Sequence, residues 1–213
     1  RVFQGSRYVR EGGLPPSVPT NRPFRTYRHY HTHDQRPMII KQITAKEADN
    51  MQLRTLYETA FPQDEQIPWT DLMELISPMQ LDFSAYYEGE ELVGLTIVQQ
   101  RKAFNWFWYF AVPAHLRGQG IGQQILSLLI DKYRDSMNVM DMESPRQECD
   151  NAEQRKRRYG FYLRNGFRDT NVYRQYGNIE MTILMNGEGT FTMNDWDDIT
   201  RELRSYWHQN EGG

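Results

Sequence analysis

The feature that most constrains the fold is a glycine-rich turn between an apolar stretch and an amphipathic helix. The turn reads Arg117-Gly118-Gln119-Gly120-Ile121-Gly122 and follows residues 104–112, an aromatic run in which Asn105 is the one strongly polar member. The aromatic density predicts a central strand there. The next segment has one apolar stripe at helical spacing (Ile121, Ile125, Leu128 and Leu129), and residues 138–143 predict another strand. A strand, a turn, a helix and a strand in this order indicate an α/β fold.

The turn also limits which ligands the chain can hold. Glycine lets the backbone approach a ligand closely, and a helix N-terminus presents unpaired N–H groups, so the position suits a diphosphate beside the cation of Arg117. A nucleotide-triphosphate loop would need a Lys-Ser/Thr pair, which is missing. A dinucleotide fingerprint fails in both registers, at Gln123 or at Ile125, but stays open because Asp141 lies about 20 residues onward. A tight turn that binds nothing is the other alternative.

The remaining segments alternate between strand and helix signals. Residues 38–43 predict a strand, and the capping box of Thr44 and Glu47 predicts a helix up to Phe61. We predict a short helix over residues 67–76 and strands over residues 81–87 and 92–99 around an acidic turn. Further on, the patterns predict a helix over residues 151–165, strands over residues 172–176 and 179–185, and a last helix capped by Asn194 or Asp195 and running through Trp207.

Charge is distributed unevenly along the chain, which carries a net charge of −3. Residues 1–37 contain seven arginines and two acids, so residues 38–213 carry a net charge of −8. Nucleic-acid binding depends on clustered Lys and Arg, so an acidic body argues against a nucleic-acid partner. It favours a cationic ligand instead.

Composition indicates a folded domain that does not span a membrane. Aromatic residues make up 13% of the chain, which is too many for a disordered protein. The apolar run over residues 125–130 is interrupted by Ser127, and no run in the chain approaches the about 20 residues that a membrane span needs. One cysteine, Cys149, and no secretory segment predict a reducing compartment, so we expect a cytoplasmic location and no membrane partner.

The length of 213 residues fits one domain with an appendage. Residues 1–37 are rich in proline and glycine, and Phe3-Gln4-Gly5-Ser6 resembles the remnant of a protease-cleaved tag, so we expect an irregular leader of tag origin. The alternating His29, His31 and His33 are a weak metal signal without a companion cysteine, and we expect no metal site. The domain itself is expected over residues 38–213, with a helical extension at about residues 194–208.

Two motifs resemble the GNAT superfamily of acetyltransferases. Residues 112–122 are similar to its acyl-CoA-binding signature, [RQ]-x-x-G-x-[GA], and residues 158–167 are similar to its later F-Y-x-x-x-G-F segment. The motifs stand in the family's order with one strand between them, and the resemblance covers residues 38–186. It implies an α/β fold with a central mixed, mostly antiparallel sheet flanked by helices, and acetyl-CoA as cosubstrate.

The resemblance also implies roles for particular residues. A splay in the strand before the turn would offer backbone groups to the cosubstrate, at Phe110, Ala111 and Val112. The pyrophosphate would be held by Arg117, Gly118, Gln119, Gly120, Ile121 and Gly122. Tyr162 falls on the family's tyrosine, whose hydroxyl protonates the leaving thiolate, with Tyr159 as the nearby alternative.

The base is expected among carboxylates near the same site. Glu143 ends the strand after the cofactor helix, where family members often place a base, and Asp141 points to the same face of that strand. Two neighbouring carboxylates would raise one pKa towards neutrality, which suits a base. Glu65, in the loop between the first two helices, is a further candidate.

We therefore expect an N-acetyltransferase that moves acetyl from acetyl-CoA to a primary amine by direct transfer. The acceptor is expected to be cationic, either a small metabolite or a protein amine. A non-catalytic acyl-CoA sensor or interaction module is the alternative, and a dinucleotide-binding protein a weaker one. A homodimer through the C-terminal aromatic residues Trp196, Tyr206 and Trp207 is also possible, although these residues could equally pack onto their own sheet.

Overall fold

The computed structural model describes residues 37–210, so the predictions on the leader and its histidines lie outside the described residues. The strands are β1 Met38–Ile43, β2 Leu81–Glu88, β3 Glu91–Gln100, β4 Asn105–Ala111, β5 Asn138–Glu143, β6 Arg168–Tyr176 and β7 Ile179–Asn186. The helices are α1 Met51–Ala60, α2 Trp69–Leu75, α3 Ile121–Lys132, α4 Ala152–Arg164 and α5 Met193–Asn210. The predicted order of strands and helices is confirmed.

The strands form one seven-stranded sheet in the order β1-β2-β3-β4-β5-β7-β6. Neighbouring strands are antiparallel except β4 and β5, which are parallel because α3 carries the chain back between them. The predicted mixed, mostly antiparallel sheet is confirmed. All seven residues of β4 are buried, as expected for the central strand that its aromatic side chains predict.

Helices cover both faces of the sheet and bury two apolar clusters. On one face, α1, α2 and α5 pack over residues such as Phe83, Ile97 and Trp108. On the other face, α3 and α4 pack over residues such as Phe107 and Met140. The second cluster lies between the glycine turn and α4, and it therefore sets the relative position of the two sequence motifs.

Two of the C-terminal aromatic residues that suggested a dimer are used within the chain itself. Trp196 is buried, with its ring 6.1 Å from that of Tyr176, and the hydroxyl of Tyr206 donates a hydrogen bond to the carbonyl of Pro78. Both contacts fix α5 on its own sheet, so these two aromatic residues need no second copy to account for them.

Three local predictions are wrong. The capping box of Thr44 and Glu47 caps only a short 3-10 turn, and α1 begins later, where the Asn50 side chain accepts a hydrogen bond from the Leu53 N–H. α5 is preceded by reciprocal hydrogen bonds between Thr192 and Asp195, so Asp195 acts as the partner of the cap rather than as the cap. β6 begins at Arg168 rather than at residue 172, since Arg168 and Asp169 already pair with β7 before a bulge that ends at Tyr173.

Within residues 37–210, none of the helices is both long and apolar enough to cross a membrane. The same residues contain no group of three or more His, Cys, Asp or Glu side chains arranged to hold a metal ion.

Candidate active site

The central sheet opens between β4 and β5. The two strands pair only at Asn105 with Asn138 and at Trp106 with Val139, whereas β5 pairs with β7 along all six of its residues. On the other side of β4, the pairing with β3 shifts register at Trp108. A bulge bends the strand that carries it, and β4 pairs with β5 only before this point. Phe110 and Ala111 lie in the diverging part of β4, and Val112 follows directly.

The glycine turn lies at the end of this opening. Gly118 and Gly120 have φ angles of 79° and 86°, which is left-handed backbone that glycine adopts at little cost. A Cβ atom on Gly120 would meet no heavy atom within 4 Å, so the turn borders open space. Because α3 begins at Ile121, the N–H groups of its first turn lack partners from a preceding helical turn. The turn therefore has the geometry of an anion site.

Arg117 contributes to the turn in a way that the sequence did not predict. Its Nε donates a hydrogen bond of 3.2 Å to the carbonyl of Val112, which ties the beginning of the connection to the glycine turn. Burial lowers the pKa of Arg117, yet a guanidinium stays charged at neutral pH. Arg117 therefore shapes the turn as well as adding a positive charge to it.

The position of α3 is fixed at both ends. Near its beginning, β3 passes close to the helix at Gly94, where a Cβ would lie 2.4 Å from Ile125 Cδ1 and 3.0 Å from the carbonyl oxygen of Ala111. At its end, Lys132 and the Tyr133 hydroxyl both donate to the buried carboxylate of Asp82 on β2. These contacts hold the glycine turn, which is continuous with α3, at the mouth of the opening.

Tyr162 has a buried hydroxyl with no hydrogen-bond partner among the described residues. Its side chain is on α4, has an exposure of 0%, and packs in the apolar cluster that also contains Phe110, Val112 and Met142. Burial raises the pKa of Tyr162, and the charge of Arg158 opposes this effect. The hydroxyl therefore stays protonated at neutral pH and is available as a donor.

Tyr159, the alternative to Tyr162, is placed differently. Its hydroxyl donates a hydrogen bond of 3.0 Å to Asp169 on β6. Burial and this carboxylate raise the pKa of Tyr159 to about 12. Of the two tyrosines, Tyr159 therefore has a structural partner already, and the free hydroxyl is that of Tyr162.

Glu143, the predicted base, lies between two guanidinium groups. Its Oε1 accepts a hydrogen bond of 2.8 Å from Arg155 Nη2, and its Oε2 accepts one of 2.9 Å from Arg158 Nη2. Asp141, two residues earlier on β5, is buried and accepts a hydrogen bond of 3.4 Å from the indole N–H of Trp106. The structure therefore brings Glu143 to the α4 arginines and Asp141 to the divergence of β4 and β5.

Glu65 enters the site through its backbone. Its carbonyl accepts a hydrogen bond of 2.8 Å from the hydroxyl of Tyr109 on β4. This contact attaches the turn between α1 and α2 to the diverging strand. That the side chain of Glu65 is a base remains a prediction from the sequence.

The sequence missed the inward direction of two arginines. The run Arg155-Lys156-Arg157-Arg158 reads as a solvated face, but Arg155 and Arg158 side chains are only 6% and 11% exposed, while Lys156 and Arg157 are exposed. Arg155, Arg158 and Tyr162 are spaced i, i+3, i+7, which places them on one face of α4. This spacing was the available signal.

Comparisons with known proteins agree with this geometry. Residues 81–169 match the family described as "Acetyltransferase (GNAT) domain", a range that contains the glycine turn, β5 and α4. A solved structure of a putative acetyltransferase of the GNAT family from Bacteroides thetaiotaomicron is similar with a TM-score of 0.63 and 20% identity, over 78% of this chain and 96% of that one.

Two further solved structures have the same fold. The ribosomal-protein-S18-alanine N-acetyltransferase from Escherichia coli has a TM-score of 0.55 and 15% identity, over 74% of this chain and 98% of its own. Ard1 from Thermoplasma volcanium has a TM-score of 0.54 and 15% identity, over 70% and 96%. At these identities the likeness shows the fold alone. No curated protein sequence matches the chain.

Proposed function

The chain belongs to the GNAT superfamily of acyltransferases, and from this premise we propose that it is an N-acetyltransferase that moves acetyl from acetyl-CoA directly to a primary amine. The observation that carries the proposal is the buried hydroxyl of Tyr162, which has no hydrogen-bond partner among the described residues. A buried polar group without a partner is unfavourable. A ligand atom that accepts its hydrogen bond explains why the group is present.

The residues around the opening fit an acyl-CoA. The left-handed turn at Gly118 and Gly120 borders open space and leads into a helix N-terminus, which suits the pyrophosphate. We propose that Arg117, Gly118, Gln119, Gly120, Ile121 and Gly122 hold this group. The divergence of β4 from β5 gives the extended arm a place beside Phe110, Ala111 and Val112. When bound, acetyl-CoA supplies a carbonyl that is activated as a thioester.

Tyr162 supplies the proton for the leaving group. In a direct transfer, the amine nitrogen forms a bond to the thioester carbonyl carbon, the carbon–sulfur bond breaks, and its electron pair goes to sulfur. The Tyr162 hydroxyl gives its proton to that sulfur. Burial raises the pKa of Tyr162, which keeps the donor loaded at neutral pH.

A carboxylate at the end of β5 takes the proton that the amine loses. Glu143 is the residue that the sequence predicts, and Asp141 lies on the same face of the strand. Both oxygens of Glu143 accept hydrogen bonds from guanidinium groups, whereas Asp141 lies where β4 and β5 diverge. Glu65 is the third candidate, because its turn is attached to β4.

The acceptor that we propose is a cationic amine. Residues 38–213 carry a net charge of −8, which attracts polyamines, aminoglycosides and basic protein termini. Its relative from Escherichia coli is, by its name, an N-acetyltransferase of an alanine in ribosomal protein S18. The acceptor of this chain is therefore sought among both small amines and peptides.

The test is acetyl transfer to a panel of amines. Purified protein is incubated with acetyl-CoA and spermidine, kanamycin, a peptide with N-terminal alanine or a lysine peptide, and free thiol and acetylated product are both measured. We expect turnover with at least one amine. We also expect Tyr162→Phe to lower kcat by about 10-fold to 100-fold, because one proton donor is lost, while the affinity for acetyl-CoA is kept.

Tyr159→Phe is the matched control. It removes a hydroxyl from the same helix whose partner is Asp169. It should leave kcat within about 2-fold of wild type, since its hydroxyl takes no part in the reaction. Acetyl-CoA binding without acetylation of any amine would favour a sensor or interaction module, and equal losses in the two variants would remove the donor assignment.

A further inference from the structure

A carboxylate and two guanidinium groups form a buried cluster at the end of β5. Glu143 accepts one hydrogen bond from Arg155 and one from Arg158, at 2.8 Å and 2.9 Å. The three side chains are only 19%, 6% and 11% exposed. A buried ion pair gains little stability over apolar packing, because the charges must leave water. Stability alone therefore does not explain why these three charged side chains are buried together.

Arg155 is the more deeply held of the two arginines. Its Nη1 donates a hydrogen bond of 2.9 Å to Gln147 Oε1, and its Nε has no hydrogen-bond partner among the described residues. Gln147 in turn accepts from the N–H of Glu180 on β7. Arg155 is thus attached to the loop before α4 and, through it, to the sheet, and it holds one side of Glu143 in place.

Arg158 occupies the other side of Glu143, one helical turn before Tyr162. Residues i and i+4 of a helix are neighbours on its surface, so the guanidinium and the phenol lie on the same face of α4. The positive charge of Arg158 opposes the rise in the pKa of Tyr162 that burial causes. Hydrogen bonds thus link Gln147 to Arg155, Arg155 to Glu143, and Glu143 to Arg158. Arg158 is the member of this chain of contacts that lies next to Tyr162 on α4.

We propose that Glu143 and Arg155 are positioning residues that hold the Arg158 guanidinium beside Tyr162, where its charge stabilises the phenolate that forms when Tyr162 protonates the thiolate. The inference rests on the proposed function. The proton of the Tyr162 hydroxyl goes to sulfur, the negative charge moves to the phenol oxygen, and water returns a proton to it after the step. Glu143 acts through Arg158 rather than on the amine, which leaves Asp141 and Glu65 as the candidate carboxylates for the amine proton.

The test is a double-variant comparison with Tyr162→Phe. Arg158→Gln, Arg155→Gln and Glu143→Gln are each made in the wild type and in Tyr162→Phe, and kcat is measured with acetyl-CoA and the fastest acceptor among spermidine, kanamycin and the alanine peptide. In the wild type, we expect Arg158→Gln to lower kcat at least about 10-fold. In the Tyr162→Phe background no phenolate forms, so the same substitution should lower kcat less than about 2-fold. Arg155→Gln and Glu143→Gln should follow the same pattern.

Controls separate this role from folding. Arg157→Gln removes an exposed cation from the same helix and should leave kcat unchanged. Arg158→Lys keeps the charge and should recover most of the kcat lost in Arg158→Gln. Thermal unfolding and acetyl-CoA affinity are measured for every variant, so that an unfolded protein is recognised.

Each outcome decides between the alternatives. If Arg158→Gln lowers kcat equally in both backgrounds, the guanidinium does not act through Tyr162 and the proposal is overturned. If Glu143→Gln is the one variant that lowers kcat equally in both backgrounds, Glu143 is the base and its positioning role is overturned. If Tyr162→Phe has the kcat of wild type, it is instead the donor role in the proposed function that fails.

Discussion

At the residue scale, the buried hydroxyl of Tyr162 has no hydrogen-bond partner among residues 37–210, and Arg158 precedes it by one helical turn. Tyr162 could be predicted because its motif has a fixed spacing and order. Residue type alone does not tell which of four consecutive cations face the sheet, so the inward direction of Arg155 and Arg158 could be predicted only from their spacing relative to Tyr162. Likewise, Glu143 was predicted to be the base from its position at the end of a strand. That position does not reveal its two guanidinium partners, because they come from a separate helix.

Asp82 provides a residue-scale prediction about pH. Burial would raise the pKa of Asp82, but hydrogen bonds donated by Lys132, Tyr133 and Ser84 lower it below its ordinary value. A carboxyl group with a lower pKa in the folded than in the unfolded protein stabilises the fold at pH values above the unfolded pKa. This stabilisation is lost as the pH falls through the pKa of the folded protein. We expect Asp82→Asn to reduce the free energy of unfolding by about 2 kcal/mol at neutral pH.

Urea unfolding of wild type and Asp82→Asn at several pH values checks this prediction. The difference between the two proteins should shrink below about pH 4, where the carboxyl of the unfolded chain becomes protonated. A difference that stays constant from neutral pH to the acid limit would contradict it. Asp49→Asn, at an exposed position before α1, is a control that should change stability by less than about 0.5 kcal/mol.

At the element scale, patterning predicted the elements, while their ends depended on contacts far apart in sequence. The strand over residues 138–143, whose apolar members are Val139, Met140 and Met142, is found with the predicted bounds. The capping box at Thr44 is present, yet it caps a 3-10 turn, since Asn50 starts α1 afresh. An extended region was expected from Phe167, as found, but the bulge within β6, where Asn171 takes a left-handed φ of 58°, could not be predicted from the sequence.

Gly187 provides an element-scale prediction. It follows β7 with a φ of 89°, and a Cβ there would lie 2.3 Å from the backbone oxygen of Ser136, between α3 and β5. Gly187→Ala must therefore move backbone on one side or the other, and we expect it to reduce the free energy of unfolding by about 3 kcal/mol. Chemical denaturation of the purified variant measures this loss.

Gly177→Ala is the matched control, because Gly177 also has a left-handed φ, of 54°, but open space around its Cβ position. It should cost only the backbone strain, about 1 kcal/mol. Equal losses in the two variants would mean that the contact with Ser136 contributes nothing. That result would contradict the close packing of the turn after β7 against the end of α3.

At the scale of the whole molecule, topology brings together what the sequence keeps apart. The glycine turn follows β4 and Tyr162 lies on α4, and a parallel β4–β5 pair that diverges beyond Trp106 places both at one opening. The mixed sheet and the central position of β4 could be predicted from the motifs and from aromatic density. The bulge at Trp108 and the divergence itself depend on pairing across three strands, and local patterning does not encode them.

We propose that this opening binds acetyl-CoA, and isothermal titration is the direct test. The protein is titrated with acetyl-CoA, CoA and NADH, beside an Arg117→Ala, Gly120→Val double variant, in which a β-branched residue is placed at a left-handed φ of 86°. We expect acetyl-CoA and CoA to bind, the variant to bind them at least about 10-fold more weakly, and NADH not to compete. Absence of acetyl-CoA binding, or tighter binding of NADH, would contradict it.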